Sequence, residues 1–66
     1  MHLRVEIQMD NAAFEGDAWT IEAARILRKA ADKLEGGETN DSLRDINGNK
    51  VGSVWVVGLE RHLVGL

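Results

Sequence analysis

Polar and apolar residues alternate strictly over the segment from His2 to Met9. Leu3, Val5 and Ile7 carry apolar side chains, and charged or polar residues separate them. Because successive side chains of a β-strand point to opposite faces, this period of two predicts a strand over residues 2–9 with one buried face. A second layer of structure must cover that face.

A helical period replaces the alternation further along the chain. Over residues 18–35 apolar side chains recur at i, i+3, i+4, i+7 and i+11, which predicts one amphipathic helix. Asp17 before it and Gly36 after it are residue types that commonly begin and end helices. The apolar stripe consists of Ala23, Ile26, Leu27, Ala30 and Leu34.

Two strand-like segments flank Asn47-Gly48-Asn49 in the C-terminal half. Asn-Gly between such segments is the strongest short-range signal for a β-hairpin, so we predict a hairpin over residues 43–59 and an apolar tail over residues 60–66. The order strand, helix, strand, strand predicts an α+β fold, with one helix packed on one face of a three-stranded antiparallel sheet. The 66 residues form a single small domain.

The last predicted strand is apolar on both faces. In a regular strand Val51, Trp55 and Val57 share the face that we assign to the core, packed against Leu27 and the rest of the helix stripe. One helix covers only one face of a sheet, and so short a chain has a marginal core. We therefore expect self-association, most simply as a symmetric dimer. The expected interface is Val54, Val56, Leu63, Val64 and Leu66.

Composition disfavours several classes of function. The chain has no cysteine and two histidines, too few ligands for a usual zinc site. Its 8 basic and 11 acidic residues give a net charge of -3, which disfavours general nucleic-acid binding. No apolar segment approaches the roughly 20 residues that span a bilayer, and the N-terminus lacks a signal-peptide pattern. We expect a soluble, cytoplasmic protein.

The sequence contains no recognisable arrangement of catalytic groups. Ser42 and Ser53 have no histidine or lysine at a motif spacing. Gly48 and Val56 occupy the wrong positions for a calcium loop that begins at Asp45. We expect no enzymatic activity, no metal and no cofactor.

The hairpin loop over residues 44–50 has an unusual density of polar groups, since six of its seven residues are polar or glycine. A guanidinium, a carboxylate, two amides and an ammonium occur together there, which is typical of a recognition site. Asn and Asp also bond their own backbone in tight turns, so a purely structural role stays open beside the functional one. The acidic segment over residues 6–22 is a second candidate surface, with favourable helix-start electrostatics as the alternative.

Three stretches of the chain form a pattern: Asn11-x-x-Phe14, Ala24-Arg-Ile-Leu-Arg-x-x-Ala-Asp32 and Leu43-Arg-Asp-x-Asn-Gly-Asn-x-Val-Gly52. In this pattern the chain resembles a group of small uncharacterised proteins encoded by phages and prophages. The resemblance covers residues 10–52 and implies a phage origin and a location in the host cytoplasm. It makes the matching loop residues the first-choice interaction residues, namely Arg44, Asp45, Asn47 and Asn49.

The leading functional hypothesis is a non-catalytic phage accessory protein that binds and blocks a host protein, as anti-defence and host-takeover inhibitors do. One alternative is an oligomer that sequesters a small signalling nucleotide through Arg25, Arg28 or Arg44. Another alternative is a minor structural component of the virion. The first two predict early or defence-associated neighbouring genes, and the third predicts morphogenesis genes.

Overall fold

The computed structural model describes residues 1–58. Its elements are β1 (His2–Ile7), a 3₁₀ helix (Ala12–Phe14), α1 (Ala18–Glu35), β2 (Asn40–Arg44) and β3 (Lys50–Val57). β3 is the central strand and pairs antiparallel with β1 on one side and β2 on the other. This confirms an α+β fold with one helix and a three-stranded antiparallel sheet. The predicted tail, with Leu63, Val64 and Leu66, lies outside the described residues.

The helix α1 has the predicted bounds, but its ends are built differently from the expectation. Asp17 occupies the N-cap position without a side-chain hydrogen bond to the first turn. The Thr20 hydroxyl instead donates to the Asp17 carbonyl oxygen at 3.1 Å. At the C-terminal end Gly36 keeps a helical φ of -78°, and the left-handed residue is Gly37, with φ of +99°.

The hairpin begins earlier than predicted, because β2 includes Asn40 and ends at Arg44. The Asp45 amide donates to the Asn49 carbonyl at 2.9 Å, and the Gly48 amide donates to the Asp45 carbonyl at 3.0 Å. Within the loop only Gly48 has a positive φ, of +85°. The loop is therefore wider than a two-residue Asn-Gly turn, in which both central residues need a positive φ.

A β-bulge at the start of β3 changes which residues face the helix. Leu43 pairs with Gly52 and Arg44 pairs with Lys50, so Val51 is an extra residue in β3. As a result Val51 and Val54, which a regular strand would place on opposite faces, are both buried.

The pairing of β1 with β3 corrects the predicted core face. Val5 pairs with Val54, and Arg4 pairs with Trp55, so Val54 lies on the helix side and Trp55 on the other side. The assignment of Trp55 and Val57 to the core was therefore wrong. The interface predicted at Val54 is also wrong, because that side chain is buried under the helix.

The core contains residues from the 3₁₀ helix, α1, β2 and β3. Its buried members are Phe14, Ile26, Ala30, Leu43, Val51 and Val54, with Ile7 and Ala13 packed against them. Leu27, predicted to belong to this core, is 46% exposed on the flank of α1.

The strand β1 is only partly covered. α1 approaches β2 more closely than it approaches β1 or β3. Leu3 and Val5 consequently remain 47% and 42% exposed, although they lie on the helix side of the sheet. Within residues 1–58, α1 is not apolar enough to cross a membrane, and no other helix is long enough.

Candidate functional site

Asp45, at the first position of the hairpin loop, is the most heavily bonded side chain of the region. It is only 4% exposed. Its Oδ1 accepts from the backbone amides of Asn47 and Asn49, both at 2.9 Å. Its Oδ2 accepts from Asn11 Nδ2 at 2.7 Å and from Asn49 Nδ2 at 3.2 Å. The carboxylate thus fixes the loop and ties it to the segment that precedes α1.

The electrostatics of Asp45 agree with this structural role. Burial raises the pKa of its carboxyl group, but hydrogen bonds from Asn49, Asn11 and Asn47 outweigh burial and lower the pKa overall. The group is therefore charged at neutral pH, with both oxygens engaged inside the chain. Asp45 was predicted to contact a partner, but the structure buries its carboxylate inside the chain, where it serves the loop.

Glu22 of α1 makes the second connection to the loop. Its Oε1 accepts from Arg25 Nε at 2.7 Å, and its Oε2 accepts from Arg25 Nη2 at 3.1 Å and from the Ile46 amide at 2.7 Å. Arg25 Nη2 also donates to the Arg44 carbonyl at 3.3 Å. The hydrogen bonds from Arg25 lower the pKa of Glu22 against the opposing effect of burial. Arg25, which was predicted to bind a nucleotide, is therefore engaged in an internal ion pair with Glu22.

These contacts form one loop-anchoring network of Asn11, Glu22, Arg25, Asp45 and Asn49. Asn11 also caps the 3₁₀ helix, since its Oδ1 accepts from the Ala13 amide at 3.0 Å. Sequence analysis included Glu22 only in the acidic segment over residues 6–22, and it missed the role of Asn11. The available signal was the co-occurrence of the Asn11-x-x-Phe14 and Arg44-Asp-x-Asn-Gly-Asn49 stretches, which the network joins.

The residues that remain available lie at the end of the loop, which we call the loop tip. All of them are exposed: Arg44, Ile46, Asn47, Gly48, Asn49 and Lys50. Ile46 is 69% exposed, although its own amide is held by Glu22. Arg44 Nη1 donates to the Gly48 carbonyl at 3.1 Å, which holds the guanidinium against the turn. The predicted residues Arg44, Asn47 and Asn49 therefore lie together, around an apolar residue that the sequence analysis had not singled out.

A cleft between α1 and β2 is the second candidate site. Its volume is about 270 Å³. It is lined by Ile26, Lys29, Ala30, Lys33, Asp41, Ser42, Leu43 and Arg44. Lys33 Nζ and Asp41 Oδ2 form an ion pair at 2.7 Å, which raises the pKa of Lys33 and lowers that of Asp41. Arg28, predicted to bind a nucleotide, is exposed on α1 and does not line this cleft.

The described part of the chain offers little for metal chemistry. Among residues 1–58 no three His, Cys, Asp or Glu side chains come together as a metal site would require. Within the same residues each buried side-chain nitrogen or oxygen has a hydrogen-bond partner.

No protein-family model, no curated protein and no solved structure matches this chain. The resemblance to phage proteins therefore stays a prediction. The function has to be argued from the geometry of the loop tip and the cleft.

Proposed function

We propose that this chain is a non-catalytic binding protein that engages another protein through the loop tip. The observation that carries the proposal is an exposed isoleucine, Ile46, on a loop whose backbone is held by Asp45 and Glu22. The narrower proposal, a phage accessory protein that blocks a host protein, is supported by the resemblance of residues 10–52 alone.

The rigidity of the loop favours binding over a merely structural role. Association costs free energy for every loop and side chain that must be ordered. Here the amides of Ile46, Asn47 and Asn49 are already bonded to buried carboxylates, so the backbone of the loop tip is ordered before a partner arrives. A turn that served only to reverse the chain would not need to display an isoleucine.

The chemistry of the loop tip indicates the kind of partner. Ile46 offers apolar surface, Arg44 and Lys50 offer positive charge, and the Asn47 side-chain amide and the Asn49 side-chain oxygen offer hydrogen bonds. An apolar anchor within a polar rim is the usual anatomy of a protein interface. The complementary surface is an apolar pocket edged by carboxylates.

The test is affinity purification from infected host cells, followed by calorimetric titration of the captured protein. Ile46→Ser should abolish capture and leave the thermal melt unchanged. Ile21→Ser is the matched control, because Ile21 is 75% exposed on α1 but lies outside the loop. Equal affinity of wild type and Ile46→Ser for the captured protein would refute the proposed surface.

A second candidate function, sequestering a small anionic ligand such as a nucleotide, is favoured by the cleft between α1 and β2. Lys29, Lys33 and Arg44 line it, and Asp41 is the one carboxylate among the lining residues. Its volume of about 270 Å³ is close to the lower limit of typical ligand pockets, about 300 Å³. Titration with nucleotides should show binding that Lys29→Gln weakens and that Arg28→Gln, outside the cleft, does not change.

A further inference from the structure

The outer edge of β1 presents an ordered row of backbone hydrogen-bonding groups. In the described residues no strand pairs with β1 on the side away from β3. The Gln8 amide donates to the Val51 carbonyl at 2.7 Å, in register with the β1–β3 ladder, so the even-numbered residues of β1 bond to β3. The backbone groups of Leu3, Val5 and Ile7 therefore point outward.

Apolar surface accompanies this edge on the helix side of the sheet. Leu3 and Val5 are half-exposed there, and so is Leu27 of α1. Leu27 is two residues from Lys29, which lines the cleft toward β2, and two residues correspond to about 200° around a helix. Leu27 thus lies on the flank of α1 that is turned away from β2, toward the β1 side.

The charged residues of β1 are complementary to a second β1. Arg4 and Glu6 lie on the opposite face of the sheet, where they pair with Trp55 and Ser53 of β3. We propose that β1 pairs antiparallel with the β1 strand of a second copy of this chain, about a twofold axis through Val5. This register places Arg4 opposite the partner's Glu6 and Glu6 opposite the partner's Arg4.

The backbone geometry supports the same register. An axis through Val5 makes Leu3 and the partner's Ile7 a hydrogen-bonded pair, with Val5 and the partner's Val5 as the central pair. Arg4 and the partner's Glu6 then form a non-hydrogen-bonded pair, in which facing side chains are closest. Moving the axis to Arg4 or to Glu6 would bring two like charges together, so Val5 is the favoured centre.

The paired strands would join two sheets into one of six strands, with both helices on the same face. Leu3 and Val5 of the two copies would meet between the apolar flanks of the helices, which carry Leu27. Such pairing removes an open sheet edge, a feature that otherwise invites non-specific association. The self-association expected from the sequence is thereby moved from Val54 and Val56 to β1.

Sedimentation equilibrium on wild type and charge variants tests the register. Wild type should sediment at twice 7.3 kDa at high concentration. Arg4→Glu should raise the dimer Kd at least about tenfold, since two attractive pairs become two repulsive ones. Glu6→Arg should do the same. The double variant Arg4→Glu/Glu6→Arg should restore the wild-type Kd. Arg28→Glu is the matched control, because it makes the same charge change on an exposed part of α1.

The outcomes separate the alternatives. A wild-type mass of 7.3 kDa up to about 1 mM would overturn the proposal, because even weak complexes form in that range. A dimer that Arg4→Glu leaves intact would place the interface elsewhere, and it would overturn the proposal as well. If a single variant fails to fold, the double variant still tests the register, since it keeps the net charge of wild type. Failure of the folded double variant to dimerise refutes the register.

Discussion

The hairpin end of the molecule and its β1 side invert the usual distribution of polar and apolar residues. At the hairpin end two carboxylates, Asp45 and Glu22, are buried and bonded to the backbone of a loop. On the β1 side Leu3, Val5 and Leu27 are half-exposed, although all of them belong to regular structure. At the hairpin end the buried carboxylates find all their hydrogen-bond partners within the chain. The β1 side leaves apolar surface and a strand edge uncovered.

This difference shows where so small a domain places its few buried residues. The core residues cluster beneath α1 and beside the loop-anchoring network. We therefore expect stability to be concentrated at the hairpin end, whereas the β1 side leaves apolar side chains exposed. Substitutions in the two regions should differ sharply in their effect on folding.

Asp45→Ala should have the largest effect. It removes the acceptor of four hydrogen bonds at once and leaves donors of Asn11, Asn47 and Asn49 without their partner. Buried donors without partners are costly, and we expect the melting temperature to fall by at least about 20 °C. Differential scanning calorimetry measures this. Asp45→Asn keeps one acceptor oxygen, so its melting temperature should fall by clearly less. Equal losses of melting temperature in the two variants would contradict this account of the network.

Ile26→Ala and Leu27→Ala compare the two regions at neighbouring positions. Ile26 is fully buried, so its truncation should lower the free energy of unfolding by about 2–5 kcal/mol. Nearly half of the Leu27 surface is in water. Its truncation to alanine should therefore lower the free energy of unfolding by less than about 1 kcal/mol under conditions in which the chain is monomeric. Urea denaturation of the two variants measures both values. Similar losses would show that Leu27 is packed more tightly than its exposure indicates.

The stability of the hairpin end should depend on pH in the acid range. The pKa values of Asp45, Glu22 and Asp41 are all lowered in the folded chain. Their contribution is therefore complete above the ordinary values of 3.8 and 4.5, and it is lost as the pH falls below them. Thermal melts should be nearly constant from about pH 8 to about pH 6 and should then drop steeply below pH 4.5. In Asp45→Asn the drop should be shallower.

Arg44→Ala should have the smallest effect on folding. Its side chain is exposed and makes one hydrogen bond, to the Gly48 carbonyl. We expect a loss of roughly 0.5 kcal/mol, measured by the same denaturation experiment. Weakened partner binding with a nearly unchanged melt would assign Arg44 to recognition. A large fall in melting temperature would show instead that Arg44 belongs to the anchoring of the loop.

The elements of the fold could be predicted from the sequence because each has a local signature. The bounds of α1 follow from its apolar period, and the hairpin follows from Asn47-Gly48. The assignment of faces failed because it assumed a regular β3. The extra residue Val51 breaks the alternation, and the local signal for it was overlooked: the neighbouring Gly52, because a glycine within a strand often marks a bulge.

The candidate site was predictable only in part. The exposed members of the loop tip, Arg44, Asn47 and Asn49, follow from its polar density. The burial of Asp45 and Glu22 could not be predicted in this way, because a carboxylate in a polar stretch is usually solvated. Their burial depends on partners 34 and 24 residues away, Asn11 and Ile46 respectively, and local spacing does not reveal such contacts.

The anchoring of the loop has a consequence for hydrogen exchange. The amide protons of Ile46, Asn47 and Asn49 belong to an exposed turn, where exchange with solvent is normally fast. Here the Ile46 amide donates to Glu22 of α1, so its release requires the hairpin to separate from α1. The Asn47 and Asn49 amides donate to Asp45 within the loop itself, and Asn11 also holds that carboxylate. All three protons should therefore exchange more slowly than those of an unbonded turn, and the Ile46 proton should be the slowest of them. The exchange rate of the Ile46 proton would then report how often the hairpin separates from α1.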